Sequence, residues 1–302
     1  MLAIVIPYYK ITFFENTLQS LANQTNKHFK VYIGNDASPQ NPNELLTKYY
    51  GKFDFLYHYF EKNLGGKSLA KQWERCISLS KSEKWIMILG DDDVLEENVV
   101  EEFYKNLEEI NNQGISVVRY VTKLIDENSK VISGIIEQAK VGNSTDFIIQ
   151  KLKRQVRSSL SEYVFEKEKI TKIGFKNFPL AWYSDDLAIL EFSEFKNVYT
   201  INSAVVDVRL SFESISGDET MFSNKNKSKF AFLYYLLFHK QDYFSTDQVQ
   251  ILFSTITKCY INDKKKFFYF FKISCICIKF GWFKKYFDFI KSILYFTFKK
   301  GR

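Results

Sequence analysis

The stretch WIMILGDDDVL, residues 85–95, joins a short apolar run to three consecutive aspartates. The run Trp85–Leu89 contains no charged residue and predicts a strand that is buried on both faces. In parallel α/β sheets, ligands bind where such strands end, which makes Gly90–Asp93 a candidate binding edge. Adjacent carboxylates repel one another, so the run is costly unless it is solvated or bound to a cation.

Metal binding and helix capping both remain open for this run. Asp93–Glu96 has the pattern of a capping box and predicts a helix from Glu96 to Ile110. Capping accounts for Asp93 but leaves Asp91 and Asp92 unexplained. The run lacks the D-x-D-x-D-G spacing of a calcium loop. A few carboxylates combined with phosphate oxygens and water are what Mg²⁺ or Mn²⁺ prefers.

Three further strands precede this one and alternate with helices. The predicted strands are Leu2–Ile6, ended by Pro7, then Phe29–Gly34 and Asp54–Phe60. Such alternation predicts an α/β fold with a mainly parallel, Rossmann-like sheet flanked by helices. The carboxyl ends of these strands should lie along one edge of the sheet.

Two loops at that edge carry candidate binding residues. Asp36 follows the second strand, where an acid can accept hydrogen bonds from a ribose or a base, although the local pattern by itself favours a turn-forming residue. The loop Asn63–Ser68 contains Gly65, Gly66 and Lys67 and leads into a helix whose N-terminus could hold a phosphate. The loop lacks P-loop spacing, and a tight turn capped by Ser68 explains it equally well.

After Gly114 the pattern becomes α+β. Ser184-Asp185-Asp186 begins an apolar helix, and its acids can serve either as caps or as a general base. Beyond about Ser223 only helical patterns remain. The further strands predicted in this half are Ser116–Leu124, Lys130–Ile136, Ser161–Phe165, Val198–Ile201 and Ala204–Arg209.

Composition excludes several classes of protein. The 302 residues are 46% hydrophobic and 25% charged, as expected of a globular protein with a sizeable core. Four cysteines without a C-x-x-C pair and three histidines argue against a zinc site and a disulfide framework. We expect a cytoplasmic protein with no signal peptide and no membrane-spanning helix.

The positive charge is concentrated at the C-terminus. Residues 264–302 contain 11 basic residues and one acid, a net charge of +10, whereas the other 263 residues carry 31 basic and 34 acidic residues, a net charge of −3. Lysines alternate there with Phe, Tyr and Trp, a composition typical of a helix lying in a membrane interface. The alternatives are that the aromatic residues pack on the rest of the protein or, less in keeping with the sequence, that the tail binds nucleic acid, for which no motif is present.

Taken together, these motifs resemble family 2 glycosyltransferases of the A-type fold, of the kind that act in bacterial polysaccharide synthesis. Their order and spacing agree over about residues 1–215. The matching segments are Ile4–Tyr9, Ser20–Thr25, Asn35–Ser38, Asn63-x-Gly65 and Leu89–Leu95.

The resemblance implies roles for individual residues. Pro7, Tyr9, Asp36, Lys67 and Asp91 would bind the nucleotide-sugar. Asp92 would take the metal-binding last position of the family's D-x-D motif, whose first position is Gly90 here, and Asp186 would be the catalytic base. Arg209 stands where many members have Arg-x-His, but no histidine follows it.

The implied activity is inverting transfer of a sugar from a nucleotide-sugar, UDP being the nucleotide favoured by the resemblance, to a saccharide or lipid-linked saccharide. Residues 1–222 would form the catalytic domain, with a nucleotide-sugar half at 1–113 and an acceptor half at 114–222. Residues 223–302 would be a helical extension at the inner face of the cell membrane. A nucleotidyltransferase and a non-catalytic nucleotide-sugar-binding module are the alternatives.

Overall fold

The computed structural model describes residues 1–211, 221–263 and 267–298. These residues form two compact units. Within the described part, the first unit contains residues 1–177 and 184–211, and the second contains 178–183 and everything from 221 onward. The sequence does not predict that residues 178–183 belong to the second unit. The boundary of a catalytic domain at residue 222 stays a prediction.

The first half of unit one is the predicted alternation of strands and helices. Its strands are β1 Leu2–Tyr8, β2 Phe29–Asn35, β3 Phe55–Tyr59 and β4 Trp85–Ile88, and its helices are α1 Phe14–Ala22, α2 Asn43–Thr47 and α3 Leu69–Ile77. All four strands run parallel in the order β3-β2-β1-β4. Leu2 of β1 pairs with Phe29 on one side and Trp85 on the other, so the carboxyl ends of the strands line one edge.

The second half completes a mixed nine-stranded sheet. Its elements are β5 Val94–Leu95, α4 Val99–Asn112, β6 Val117–Ile125, β7 Val141–Asn143, α5 Ser144–Leu152, β8 Tyr163–Glu166, α6 Lys167–Ile173, α7 Ser184–Phe192 and β9 Asn197–Arg209. The full order is β3-β2-β1-β4-β8-β6-β9-β5, with β7 on β9. β8 lies antiparallel between β4 and β6, whereas β6 and β9 are parallel.

Strand β1 is buried on both faces of the sheet because it is apolar throughout. Leu2, Ile4 and Ile6 are fully buried in a cluster that includes Phe14 and Leu18 of α1. On the opposite face α3 buries Ala70, Trp73 and Cys76. The α3 helix approaches β2 so closely that a Cβ at Gly34 would lie 2.3 Å from the Cys76 sulfur.

Three local predictions are wrong. β1 continues past Pro7 to Tyr8. Residues 130–136 form no strand and contribute one isolated bridge, from Val131 to Ile125. The two short strands predicted near the end of the unit form one long strand, β9, whose pairing with β6 shifts register between Tyr120 and Val121.

The described part of the second unit is helical. Its helices are α8 Phe222–His239, α9 Thr246–Asn262, α10 Phe267–Lys279 and α11 Phe283–Phe298. A capping box formed by Ser245 and Gln248 begins α9. Among the helices described, none has the length and apolar character needed to cross a bilayer.

Candidate active site

The ends of β1 and β4 are joined through Asp91. The backbone N–H groups of Tyr9 and Lys10 donate to Oδ2 of Asp91, at 2.7 and 2.8 Å. Burial is the main cause that raises the pKa of Asp91 to about 7, and the neighbouring Asp92 charge adds to it. Two predicted site residues, Tyr9 and Asp91, are therefore brought together at the expected edge of the sheet.

Asp36 holds the loop that precedes α3. Its buried carboxylate accepts hydrogen bonds from the N–H groups of Leu64 at 2.7 Å and Gly65 at 2.8 Å. A Cβ at position 65 would lie 2.6 Å from Oδ2 of Asp36, which explains the glycine. Arg75 of α3 forms an ion pair with Asp36 and also donates to the carbonyl of Lys62 at 2.9 Å. The nucleoside-binding role of Asp36 stays a prediction; its contacts show that it fixes this loop.

The remaining predicted donor-site residues lie around this edge. Pro7 pairs with Gly34 across β1 and β2. The Tyr9 side chain is 41% exposed, and its carbonyl accepts a hydrogen bond from Ser38. The Lys67 side chain is exposed, and its N–H donates to the carbonyl of Leu64, closing the turn before α3. Their contact with a nucleotide-sugar stays a prediction.

Asp93 is a buried structural anchor and not a helix cap. Oδ1 accepts the N–H of Arg209 at 2.9 Å, and Oδ2 accepts the hydroxyl of Ser161. Burial raises the pKa of Asp93 to about 8, with Asp92 the next cause. The helix that follows begins at Val99 with Asn98 at its N-cap position, so the capping box predicted at Asp93 is wrong.

Gly90 has no room for a side chain. A Cβ there would lie 2.9 Å from Oδ1 of Asp92 and 2.9 Å from Oδ2 of Asp93. The Gly90 N–H donates to the Ser161 hydroxyl at 3.0 Å, and this hydroxyl in turn donates to Asp93. The acid that the family's motif carries at this position would therefore displace the carboxylates of the run.

Arg209 clamps the acidic loop from the end of β9. Its Nε donates to the carbonyl of Asp92 at 2.9 Å, and Nη1 donates to the carbonyl of Asp126 at 2.6 Å. The guanidinium lies 4.5 Å from the ring centre of Phe13. In the sequence, Arg209 stands out only for the histidine that does not follow it. The missed signal was an arginine at the end of an apolar strand, where burial requires partners.

Asp186 forms a buried ion pair in the second half of the unit. It lies in the first turn of α7, and Oδ1 accepts a hydrogen bond from Nζ of Lys151, at 2.5 Å. Its side chain is 2% exposed and that of Lys151 is 22% exposed. Burial raises the pKa of Asp186 to about 6, while Lys151 lowers it and Asp185 raises it. No sequence pattern singled out Lys151.

The surroundings of Asp186 carry further buried charge. Glu162, in the turn before β8, accepts the N–H of Ser159 at 2.9 Å. Burial raises the pKa of Glu162 to about 7, against the opposing effects of Arg119 and Lys151. Asp185, next to Asp186, is only half-buried. The second half therefore places two buried carboxylates, Asp186 and Glu162, one half-buried carboxylate, Asp185, and Lys151 around the start of α7.

The carboxylate run suits a divalent cation that takes only one or two of its ligands from the protein. Among residues 1–211, 221–263 and 267–298, no group of three or more His, Cys, Asp or Glu side chains forms a metal cage. Oδ2 of Asp91 and both oxygens of Asp93 accept hydrogen bonds from the protein. Asp92, the predicted metal ligand, is half-buried between them. Mg²⁺ commonly takes one or two carboxylates, with phosphate and water oxygens completing its shell.

Curated relatives carry glycosyltransferase names. The chain is 27% identical over 227 residues to an uncharacterized glycosyltransferase of Rickettsia bellii, matching 74% of this chain and 30% of the relative. It is 24% identical over 110 residues to the glycosyltransferase GlyG of Streptococcus pneumoniae, matching 36% of each chain. The chain thus spans about a third of the length of these relatives.

Solved structures share the fold at low sequence identity. The crystal structure of S. aureus TarS 1-349 in complex with UDP-GlcNAc superposes with a TM-score of 0.65 at 14% identity, covering 88% of this chain and 74% of TarS 1-349. GalNAc-T7 with UDP, GalNAc and Mn²⁺ superposes with a TM-score of 0.52 at 9% identity, covering 88% of this chain and 57% of the other. These likenesses show the A-type glycosyltransferase fold.

The family follows from the sequence match over the half of the chain that carries these motifs. The model of the family described as "Glycosyl transferase family 2" matches residues 3–163, a segment that includes β1, the Asp36 loop anchor and the carboxylate run. The chain belongs to glycosyl transferase family 2.

Proposed function

We propose that this glycosyltransferase is a metal-dependent inverting enzyme that moves a sugar from a UDP-sugar to a saccharide or lipid-linked saccharide acceptor in cell-surface polysaccharide synthesis. The observation that carries the proposal is the bridge from Tyr9 and Lys10 at the end of β1 to Asp91 at the end of β4, with Asp92 beside it. The UDP-GlcNAc in the complex of TarS supports a UDP-sugar donor.

Donor binding would use the edge where β1, β2 and β4 end. Pro7 and Tyr9 would line the nucleoside, and Asp36 would fix the loop 63–67 beside it through the N–H groups of Leu64 and Gly65. Lys67, exposed on that loop, would supply positive charge toward the diphosphate. An anchored loop presents its groups without an ordering cost at each binding event.

The metal would be held by Asp92 together with diphosphate oxygens. Bound there, Mn²⁺ or Mg²⁺ offsets the negative charge that develops on the leaving diphosphate. Arg209 donates to the backbone carbonyl of Asp92, and Asp91 accepts a hydrogen bond from Tyr9 at the end of β1. These two contacts fix the backbone from which the Asp92 side chain extends. The Mn²⁺ named in the GalNAc-T7 structure supports divalent-ion use.

Asp186 would accept the proton of the attacking acceptor hydroxyl. Its pKa of about 6 leaves it ionised near neutral pH, and an acid with that proton affinity is a suitable general base. Lys151 orients the carboxylate and stabilises its charge. The hydroxyl oxygen forms a bond to the anomeric carbon as the bond to the diphosphate breaks on the opposite face, so a single displacement inverts the configuration.

The acceptor and location are proposed together. A lipid-linked saccharide at the inner face of the cell membrane would be reached by a cytoplasmic enzyme whose C-terminal part is basic, with +10 over residues 264–302. This arrangement agrees with helices too short or too polar to cross a bilayer in the described ranges.

A panel of nucleotide-sugars tests the proposal. Each donor is incubated with the protein and Mn²⁺ or Mg²⁺, and nucleoside diphosphate release is measured with and without EDTA. We expect release from at least one UDP-sugar and its loss in EDTA. Release of pyrophosphate from a nucleoside triphosphate and a sugar phosphate would favour a nucleotidyltransferase, and tight donor binding without turnover would favour a binding module.

A further inference from the structure

Each of the two C-terminal helices exposes an apolar stripe with the same spacing. The stripe residues are 51% to 75% exposed; on α10 they are Phe267, Phe271 and Ile278, and on α11 they are Phe283, Phe287 and Leu294. Steps of four and seven residues return to the same side of a helix, so each set of three forms one continuous stripe. Large apolar side chains exposed together at this density mark an interaction surface.

The opposite sides of both helices are already covered. Tyr269, Ile273 and Ile276 of α10 are buried, and Tyr269 stacks on Phe230 of α8 with 3.7 Å between ring centres. Phe289 of α11 is buried against Tyr260 of α9. Packing within the helical unit therefore accounts for the inner sides of these helices and leaves the two outer stripes unexplained.

Lysines adjoin the outer stripes. Lys284 and Lys291 are exposed on α11 within about a quarter-turn of its stripe. Lys279 of α10 turns toward α8, where its ammonium group donates to the carbonyl of Phe238 at 2.6 Å. Asp288 is the one acid in the sequence from 264 to 302. Lys264–Lys266 and residues 299–302, which also belong to this basic tail, lie outside the described residues.

We propose that this outer face of α10 and α11, meaning the six stripe residues with Lys284 and Lys291, docks on an anionic lipid bilayer without spanning it. Aromatic and aliphatic side chains suit the boundary between headgroups and acyl chains, and lysines beside them suit acidic headgroups. The phosphate backbone of a nucleic acid would satisfy the lysines but would offer no apolar contact to the six stripe residues. The contact is independent of catalysis and extends the proposed function by naming the surface that would bring the enzyme to its acceptor.

Vesicle sedimentation of the full chain tests the proposal. The vesicles are phosphatidylcholine alone or phosphatidylcholine with about 30% phosphatidylglycerol, at low and high salt. A triple variant, Phe271→Ser with Phe283→Ser and Phe287→Ser, removes half of the stripes. Phe222→Ser on α8, an equally exposed phenylalanine at 62%, is the matched control. We use point variants because removing the tail after Lys258 would also remove Cys259 and Tyr260, which are buried residues of α9.

We expect the wild type and Phe222→Ser to bind acidic vesicles, and the triple variant to bind at least tenfold more weakly with an unchanged unfolding midpoint. Lys284→Ser with Lys291→Ser should weaken binding by roughly 30-fold, since each surface lysine contributes about 1 kcal/mol near acidic lipid, and Lys227→Ser on α8 should not. Raising the salt from about 0.1 to 0.5 M should weaken binding of the wild type.

Three results would overturn the proposal. They are absence of wild-type binding to acidic vesicles, equal binding by the wild type and the triple variant, and a self-association that the triple variant abolishes while vesicles bind neither protein. The last result would assign the face to a second copy of the chain. Because sedimentation needs no turnover, none of these results bears on the proposed transferase activity.

Discussion

Nζ of Lys151 lies 2.5 Å from Oδ1 of Asp186, and this ion pair joins the last turn of α5 to the first turn of α7. Both side chains are largely buried, so removing either partner leaves an uncompensated charge in a medium of low polarity. The pair therefore links the stability of the second half of unit one to the proton affinity of the proposed base.

The base itself is tested by Asp186→Asn. The amide keeps the shape of the side chain but cannot accept the proton, so we expect transfer to fall by about 10²–10⁴-fold while the nucleotide still binds. Asp185→Asn is the matched control, since Asp185 is the half-buried neighbour. If Asp186→Asn is nearly fully active and Asp185→Asn is inactive, the catalytic base is Asp185 and not Asp186.

The pH profile follows from the same pair. Asp186 must be ionised to act, and its pKa of about 6 predicts that transfer declines as the pH falls below that value. Lys151→Met removes the charge that favours the ionised carboxylate, so the acidic limb of the rate profile should move to higher pH. Lys151→Arg keeps the charge and should restore the wild-type limb. An unshifted limb in Lys151→Met would contradict the orienting role of Lys151.

Lys151→Met should also lower the free energy of unfolding, by an amount that depends on pH. Breaking the pair should cost about 3–5 kcal/mol at neutral pH. In Lys151→Met the folded pKa of Asp186 lies further above the unfolded value of about 3.9, so the folded state binds the extra proton. Its free energy of unfolding should therefore decrease as the pH rises, and the difference from wild type should be smaller at pH ~5 than at pH ~8. Urea titrations at the two pH values measure this, and an equal difference at both would argue against it.

Asp92 and Asp93 should respond differently to replacement by alanine. Asp92→Ala should abolish metal-dependent transfer, a loss of several kcal/mol in transition-state stabilisation, and leave the unfolding midpoint near that of the wild type. Asp93→Ala should lower the midpoint, because the N–H of Arg209 and the hydroxyl of Ser161 lose their buried acceptor. Thermal unfolding and diphosphate release separate the two effects. Near-normal turnover of Asp92→Ala at saturating Mn²⁺ would remove Asp92 from the metal site.

An aspartate at position 90, where the family's D-x-D motif has its first acid, should impair the enzyme. Gly90→Asp places a Cβ 2.9 Å from carboxylate oxygens of both Asp92 and Asp93, and it adds a fourth charge to the run. We expect about 1–3 kcal/mol of lost stability and a higher Mn²⁺ requirement. Gly90→Ala separates the two causes because it adds the Cβ alone. A gain of activity in Gly90→Asp would show that the loop adapts to the acid.

The sequence located β1 to β4 because each is an apolar run bounded by turn residues, and the parallel pairs follow from the helices between them. It did not reveal what Asp93 does. The partners of Asp93 are Ser161 and Arg209, which lie 68 and 116 residues away, whereas the capping pattern Asp93–Glu96 spans only four residues and was the nearer explanation. Folding brought these partners together through β8 and β9.

The second half of unit one was harder to predict for the same reason. Lys151 and Asp186 are 35 residues apart on separate helices, and nothing in the periodicity of α5 distinguishes Lys151 from a solvated lysine. The motif Ser184-Asp185-Asp186 gave the position of the acid but not its burial. Local patterns report strands, turns and caps, whereas pairing of buried charges depends on which elements the fold places side by side.

The central claim is that this chain transfers a sugar from a UDP-sugar with inversion, using Asp92 and Asp186. A ¹H NMR time course of an α-linked UDP-sugar with the protein and Mn²⁺, in the absence of acceptor so that water takes its place, measures UDP formation and the anomer released first. We expect UDP formation, initial release of the β-anomer, and loss of both in EDTA, in Asp92→Ala and in Asp186→Asn. The proposal of inverting transfer is contradicted if no donor in the panel is consumed, or if the α-anomer is released first.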